Sequence, residues 1–102
     1  MEGISKIKAG DIIRIELVND KPIIFFEDRS SVKCESILTQ LEVAATNGFF
    51  FRIHPKHLIN LCHLSKIQLG ENPLVIMTDG SELPVDVSKQ SELLYLFENH
   101  LK

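Results

Sequence analysis

Apolar and polar residues alternate with a period of two near the beginning of the chain. Between residues 12 and 18, the apolar side chains at 13, 15 and 17 are separated by Arg14 and Glu16, which predicts a half-buried strand. The segment 19–22 (Asn-Asp-Lys-Pro) has turn chemistry, and residues 23–26 form a second apolar run. The pattern therefore predicts a β-hairpin.

The period changes to that of a helix in two places. Residues 36–46 carry apolar side chains at helical spacing, with Ser36 as a cap and Asn47-Gly48 as a stop. A second helix is predicted near the carboxyl end, with Ser88 or Asp86 as its cap. Its apolar stripe consists of Leu93, Leu94, Phe97 and Leu101.

The remaining segments are strand-like. In residues 49–54, Phe49, Phe51 and Ile53 share one face of a predicted strand and are expected to be core, and Pro55 should end it. Further strands are predicted at 64–69, 74–77 and 82–85, and the last two are joined by Asp79-Gly80, a strong hairpin signal. The sequence thus predicts a mainly β architecture of antiparallel strands with one or two short helices.

Composition limits the class of protein. The 102 residues, 44% of them hydrophobic and 25% charged, predict one globular domain spanning 1–102. No apolar run approaches the ~20 residues of a membrane span, and the first residues lack a secretory signal, so we expect a cytoplasmic protein. The two cysteines, Cys34 and Cys62, fit reduced thiols. The net charge of −3 means that any attraction to phosphate requires a local cluster of cations.

Three chemical sites can be compared with ordinary packing. His54, His57, Cys62 and His63 contain metal-ligand types, but strand residues three apart point to opposite faces, so we expect no metal and no cofactor. No residue is placed to activate a cysteine nucleophile, and an enzyme is not predicted. The phenylalanines at 49–51 fit core packing better than a platform for stacking bases.

Several ordered motifs resemble those of the LytTR (LytR/AlgR-type) DNA-binding domain of bacterial transcription regulators. They are Phe51-Arg52-Ile53-His54, then Leu58-Ile59-Asn60, Asp79-Gly80 and Leu83-Pro84-Val85, and the resemblance runs from about residue 4 to the end. It implies an elongated arrangement of small antiparallel sheets whose loops enter the major grooves of duplex DNA. It also implies direct-repeat target sites, a possible homodimer and frequent attachment to a response-regulator receiver domain.

The resemblance, with the polar residues at the loops, yields a predicted site. Lys56 and Lys89 are expected to contact phosphates, because ammonium groups act there as point charges, and Asn19 is the best candidate for a base edge. Arg52, His54 and Asn60 are expected to support the strand and its loop. The predicted DNA-facing set is Asn19, Lys21, Lys56, His57 and Lys89.

Two positions depart from the family pattern and support a second hypothesis. Pro55 stands where the family often has a DNA-contacting Arg or Asn, and Asp86-Val87-Ser88 replaces a usual Ser-Arg-Arg. A LytTR-like domain that acts as a protein-interaction or dimerisation module, with weak or no DNA binding, is therefore the alternative. An exposed Phe50 beside an edge strand would suit such a partner surface.

Overall fold

The protein consists mainly of eight short strands in the part of the chain that the structure describes. A computed structural model describes residues 9–33 and 50–100, so the predicted helix at 36–46, Phe49, Cys34 and Leu101 lie outside the described residues. The strands are β1 (Ile12–Val18), β2 (Lys21–Phe26), β3 (Ser31–Lys33), β4 (Phe50–His54), β5 (His57–Asn60), β6 (Leu64–Gln68), β7 (Leu74–Met77) and β8 (Glu82–Pro84). One helix, α1 (Gln90–His100), follows.

The strands form two sheets in which every neighbouring pair is antiparallel. The larger sheet has the order β3-β2-β1-β5-β4 and the smaller one β6-β7-β8. Short 3₁₀ turns lie at Ala9–Asp11, Leu61–His63 and Val87–Lys89. The principal-axis extents are 44 × 31 × 24 Å. The predicted mainly β fold class and the hairpins β1–β2, β6–β7 and β7–β8 are confirmed.

Two strands were not predicted. Ser31–Lys33 is fully exposed and carries no alternation of buried and exposed positions, so it has no hydrophobic period to detect. His57–Asn60 is buried at all four positions because it lies in the interior of the larger sheet, between β1 and β4. Only Leu58 and Ile59 are apolar within this strand, which is too few to define a period, so periodicity alone did not identify it.

Two β-bulges interrupt the regular pairing of the larger sheet. The pairing shifts register between Ile12 and Arg14 in β1, and again between Arg52 and His54 in β4. The extra residues, Ile13 and Ile53, are both buried in the cluster that joins the two sheets. Ile12 and Ile15 are buried in the cluster on the other face. The bulge in β1 thus puts Ile13 and Ile15 on opposite faces, whereas strict alternation would put residues two apart on the same face.

The main core lies between the two sheets and α1. Partly buried Phe51, Ile67, Leu96 and Phe97 pack against its edge. Its buried members are Ile13, Ile53, Ile59, Leu61, Leu64, Val75, Met77, Leu83, Val85 and Leu93. Within the predicted helix stripe, Leu93 and Phe97 contact this core, but Leu96 takes the place assigned to Leu94. The reason is that residues 93, 96 and 97 share one face of a helix, whereas 93 and 94 do not.

The phenylalanine run is divided between the two faces of the sheet. Phe51 and Ile53 belong to the main core as predicted. Phe50, however, is only 6% exposed and packs with Ile12, Ile15, Ile24 and Leu58 on the opposite face. The prediction of an exposed Phe50 is therefore wrong, since the opposite face of β4 is also an apolar surface that is removed from water.

The β1–β2 turn gives a prediction for stability. Asn19 and Asp20 have φ values of 53° and 65°, the positive angles that a type I′ turn requires and that glycine adopts without steric cost. We expect Asp20→Gly to raise the free energy of unfolding by about 0.5–1 kcal/mol. Thermal unfolding followed by circular dichroism would measure this change.

Asp28→Gly is the matched control for that variant, because it removes the same charge from the next hairpin turn of the sheet. The Asp28 carboxylate accepts hydrogen bonds from the Ser30 amide at 2.9 Å and from the Ser30 hydroxyl at 2.5 Å. Losing them should lower stability. Equal stabilisation by both variants would show that removal of negative charge, and not relief of the positive φ, is responsible.

Candidate nucleic-acid interface

Two turns lie side by side at one end of the larger sheet. In the β1–β5 pairing, Glu16 is opposite His57, and the Leu17 amide donates to the Lys56 carbonyl at 2.9 Å. The β1–β2 turn follows Val18, which is paired with Lys21. The fold therefore brings Asn19 and Lys21 next to Lys56, although about 35 residues separate them along the chain. Asn19, Lys21 and Lys56 are all exposed.

The β4–β5 turn, at Pro55 and Lys56, is held by the two side chains that precede it. The Arg52 guanidinium donates from Nη1 to the Pro55 carbonyl at 3.2 Å. The Lys56 amide donates to Nδ1 of His54 at 3.1 Å, so this ring is in the tautomer that carries its proton on Nε2. These contacts fix the backbone of the turn and leave the Lys56 side chain exposed to solvent.

His57 is placed differently from the other predicted residues. Its side chain is only 9% exposed, and its ring centroid lies 5.3 Å from that of His54, at an interplanar angle of 55°. Burial lowers the pKa of His57 below its usual value, and His54, Arg14 and Lys56 act in the same direction, while Glu16 opposes them. His57 therefore packs beneath the turn, and its predicted DNA-facing position does not agree with this burial.

Arg14 and Glu16 form an ion pair on the same face of the sheet as His57. Nη1 of Arg14 is 2.7 Å from Oε1 of Glu16, and the guanidinium lies 3.9 Å from the centroid of the Phe25 ring. Arg14 is thus occupied by a carboxylate and an aromatic face. The pair adds little net charge to the surface of this end of the sheet.

The segment after β8 connects Lys89 to β4. The Asp86 amide donates to the Ile53 carbonyl at 2.7 Å, and the Lys89 amide donates to the Asp86 carbonyl at 2.8 Å. Nζ of Lys89 is 5.8 Å from the centroid of the Phe51 ring. Lys89 therefore lies beside β4, the strand that leads into the β4–β5 turn.

The Asp86 carboxylate caps the 3₁₀ turn that leads into α1. It accepts hydrogen bonds from the Ser88 amide at 3.1 Å and the Ser88 hydroxyl at 2.9 Å. These bonds, together with the nearby His54 and Lys89, lower the pKa of Asp86 against a small opposing effect of desolvation. Asp86 is thus one of the two predicted caps, and its negative charge is partly offset by its own hydrogen bonds.

Cations outnumber carboxylates at this end of the described structure. Lys33 of β3 also lies near the predicted set. It is paired with Ile23 of β2, which is two residues after Lys21 in the same strand. Lys33 was one of several dispersed polar residues in the sequence and was not assigned to the DNA-facing set, because its short strand was not predicted. Apart from the Arg14–Glu16 pair, the carboxylates here are Asp20 and Asp86, whereas the cations are Lys21, Lys33, Arg52, Lys56 and Lys89. The fold thus collects a locally positive surface on a chain of net charge −3.

Asn60 lies at the opposite end of the larger sheet from the two turns and connects that sheet to the rest of the fold. It is 1% exposed, and its amide nitrogen donates to the Ile12 carbonyl at 2.9 Å. Its side-chain oxygen accepts from the Cys62 amide at 2.9 Å and so caps the 3₁₀ turn Leu61–His63. These two bonds join β1 to the segment through which the chain passes into the second sheet.

The other residues that resemble metal ligands point elsewhere. His63 contacts the Gly10 carbonyl through Nε2 at 2.8 Å and the Thr78 hydroxyl through Nδ1 at 3.3 Å. Cys62 is exposed. Within residues 9–33 and 50–100, the structure brings together no three His, Cys, Asp or Glu side chains in a way that could hold a metal ion. In the same ranges, no helix has both the length and the hydropathy that crossing a bilayer requires.

Comparison with known proteins agrees with this geometry. The family model of the LytTr DNA-binding domain matches residues 2–98. Among solved structures, the chain resembles the LytTr DNA-binding domain of a Bacillus cereus protein described as a methyl-accepting/DNA response regulator. The TM-score is 0.75 at 21% identity, covering 88% of this chain and 84% of that one. No curated protein matches the sequence. The family model covers nearly the whole chain, and the protein therefore belongs to the LytTR family of DNA-binding domains.

Proposed function

We propose that this domain is a sequence-specific duplex-DNA-binding module of a bacterial transcription regulator, acting in the cytoplasm without a cofactor or catalytic step. The observation that carries this proposal is the adjacency of the two turns, with Lys21, Lys33 and Lys56 exposed at one end of the larger sheet. A two-residue turn is narrower than the major groove, which is ~12 Å wide. If this end of the sheet entered a major groove, the cations beside the turns would approach the phosphate backbones of both DNA strands.

The side chains divide into positioning and reading roles. Lys21, Lys56 and Lys89 would contact phosphates, and Asn19, at the tip of its turn, would reach a base edge. His57 would act from beneath the turn because it is buried. Arg52, His54 and Asn60 would hold the backbone that carries these groups. Binding of two copies to direct repeats, as a homodimer or in tandem, is part of the proposal.

A measurement on Lys56 tests this proposal. Lys56→Ala should weaken binding by a similar factor on all duplex sequences and reduce the slope of log K against log salt by ~1, because one phosphate contact and its released counterion are lost. Fluorescence anisotropy with labelled duplexes at about 50 mM and about 200 mM salt would measure both quantities.

Lys66→Ala is the matched control, since Lys66 is an exposed lysine on β6 in the other sheet. It should leave affinity and salt slope close to those of the unaltered protein. If Lys56→Ala and Lys66→Ala behave alike, Lys56 does not contact DNA. A folded protein that fails to bind any duplex at low salt would exclude the proposed function as a whole.

The positions of Phe50 and Asp86 weaken the alternative of a protein-interaction module. Phe50 is buried in the core, so it offers no exposed aromatic surface to a partner. The Asp86 carboxylate is engaged as a cap by Ser88. Pro55 and the net charge of −3 still favour this alternative, and the local cluster of cations makes that net charge compatible with DNA binding.

A further inference from the structure

Two histidines meet directly beneath the turn that carries Lys56. The ring centroids of His54 and His57 are 5.3 Å apart, and their backbones are paired across β4 and β5. We propose that this histidine pair takes up one proton when DNA binds, so that DNA affinity rises as the pH falls from about 8 to about 5.5. This inference rests on the proposed DNA binding and adds a form of regulation to the same site.

His57 has a ring nitrogen that can accept the proton without loss of a hydrogen bond to the described residues. Its Nδ1 is buried, and no hydrogen-bond partner for it lies within residues 9–33 and 50–100. Protonation there breaks no hydrogen bond among these residues. Glu16 of β1, which is opposite His57 in the sheet, would stabilise the resulting imidazolium by charge attraction.

Burial, more than the surrounding charges, favours the neutral form of His57 in the absence of DNA. Burial is the largest effect that lowers its pKa, followed by the weaker influence of Glu16 in the opposite direction and then by His54, Arg14 and Lys56. A group with a lowered pKa releases its proton more readily at neutral pH. Phosphates that approach Lys56 would add negative charge nearby and raise this pKa, so DNA binding and proton uptake favour each other.

His54 limits the uptake to one proton. Its Nδ1 accepts the Lys56 amide at 3.1 Å, and a proton on that atom would remove the bond that holds the turn. In the segment after β8, the Asp86 carboxylate is close to His54 and to the Lys89 ammonium. Two positive rings 5.3 Å apart would also repel each other, so the proposed uptake is one proton.

DNA affinity measured against pH tests this inference. With the full chain and one labelled duplex at constant salt, anisotropy should show affinity about three- to tenfold higher near pH 5.5 than near pH 8. His57→Gln should remove most of this dependence. Glu16→Gln should shift it to lower pH, because the carboxylate that raises the pKa of His57 is lost.

His63→Gln is the matched control, because it removes an imidazole that contacts Gly10 and Thr78 instead of the turn. It should retain the full pH dependence. Circular dichroism at each pH would establish that the variants are folded, and His54→Gln provides the same test if His57→Gln does not fold. DNA binding with an unchanged pH dependence in the folded His54 and His57 variants would overturn the inference alone. No DNA binding at any pH would overturn the proposed function and this inference with it.

Discussion

Ile59→Ala is expected to lower the free energy of unfolding by about 2–5 kcal/mol, the usual range for truncating a buried isoleucine. Ile59 is fully buried, with 0% exposure. It lies in β5 opposite Arg14 of β1 and Phe51 of β4, and it belongs to the core cluster shared by both sheets. Alanine would leave a cavity where the sheets meet, and surrounding strands that are hydrogen-bonded on both sides can close it only in part.

Urea denaturation would measure this effect as a lower midpoint with an unchanged m-value. Ile59→Val is the matched control, because it removes one methylene and should cost only about 0.5–1.5 kcal/mol. A loss below about 1 kcal/mol for Ile59→Ala would mean that the core collapses around the smaller side chain. In that case the cluster would not be the rigid contact between sheets that its burial indicates.

Asn60→Ala is expected to lower the free energy of unfolding by about 2–4 kcal/mol, because two buried polar groups lose their partners. The Ile12 carbonyl would lose its donor, and the Cys62 amide would lose the acceptor that caps the 3₁₀ turn. Water cannot replace the asparagine easily, since its side chain is 1% exposed. Chemical denaturation at neutral pH would give the value.

Asn60→Asp separates the two hydrogen bonds. The carboxylate could still accept from the Cys62 amide but could not donate to the Ile12 carbonyl, and burial would raise its pKa above that of an unfolded aspartate. The destabilisation should therefore be smallest at acid pH, where the group is protonated and can donate, and should grow as the pH rises through about 4 and above. A pH-independent loss would show that the bond to Ile12 contributes little.

Local patterns were sufficient to predict most of the strands. The prediction of strand β1 and the Asp79-Gly80 turn each depend on residues that are close in the chain, and the structure confirms the strand and the hairpin. The cap before α1 was also predictable, because an aspartate two residues before a serine, ahead of an apolar stripe, is a local signal. The family resemblance supplied the overall arrangement, which local patterns alone do not determine.

The bulges at Ile13 and Ile53 were not predictable from alternation. Each inserts one residue and reverses the faces that follow, so a strict period of two cannot represent them. The position of Phe50 was missed for a related reason. A run of three aromatic residues contains no polar position that would identify a solvent-exposed face of the strand. Only the complete sheet shows that apolar clusters cover both faces of β4.

The locally positive surface could not be predicted from local patterns or net charge, because its members come from distant segments. Lys21, Lys33, Lys56 and Lys89 are spread over about 70 residues, and only the pairing of β1 with β2 and β5, and of β2 with β3, brings the first three together. Net charge is a sum over the chain and contains no information on this arrangement. The burial of His57 likewise depends on β5 lying inside the sheet rather than at its edge.

The pairing of β1 with β5 also determines when the candidate site can form during folding. The β1–β2 and β4–β5 hairpins each close over a short stretch of chain, but their adjacency requires contacts such as Glu16 with His57, which are about 40 residues apart. Such nonlocal contacts form slowly because a long loop must close before they are made. A chain emerging from the ribosome can thus contain both turns without containing the candidate site. The site would be complete only once the two hairpins have paired.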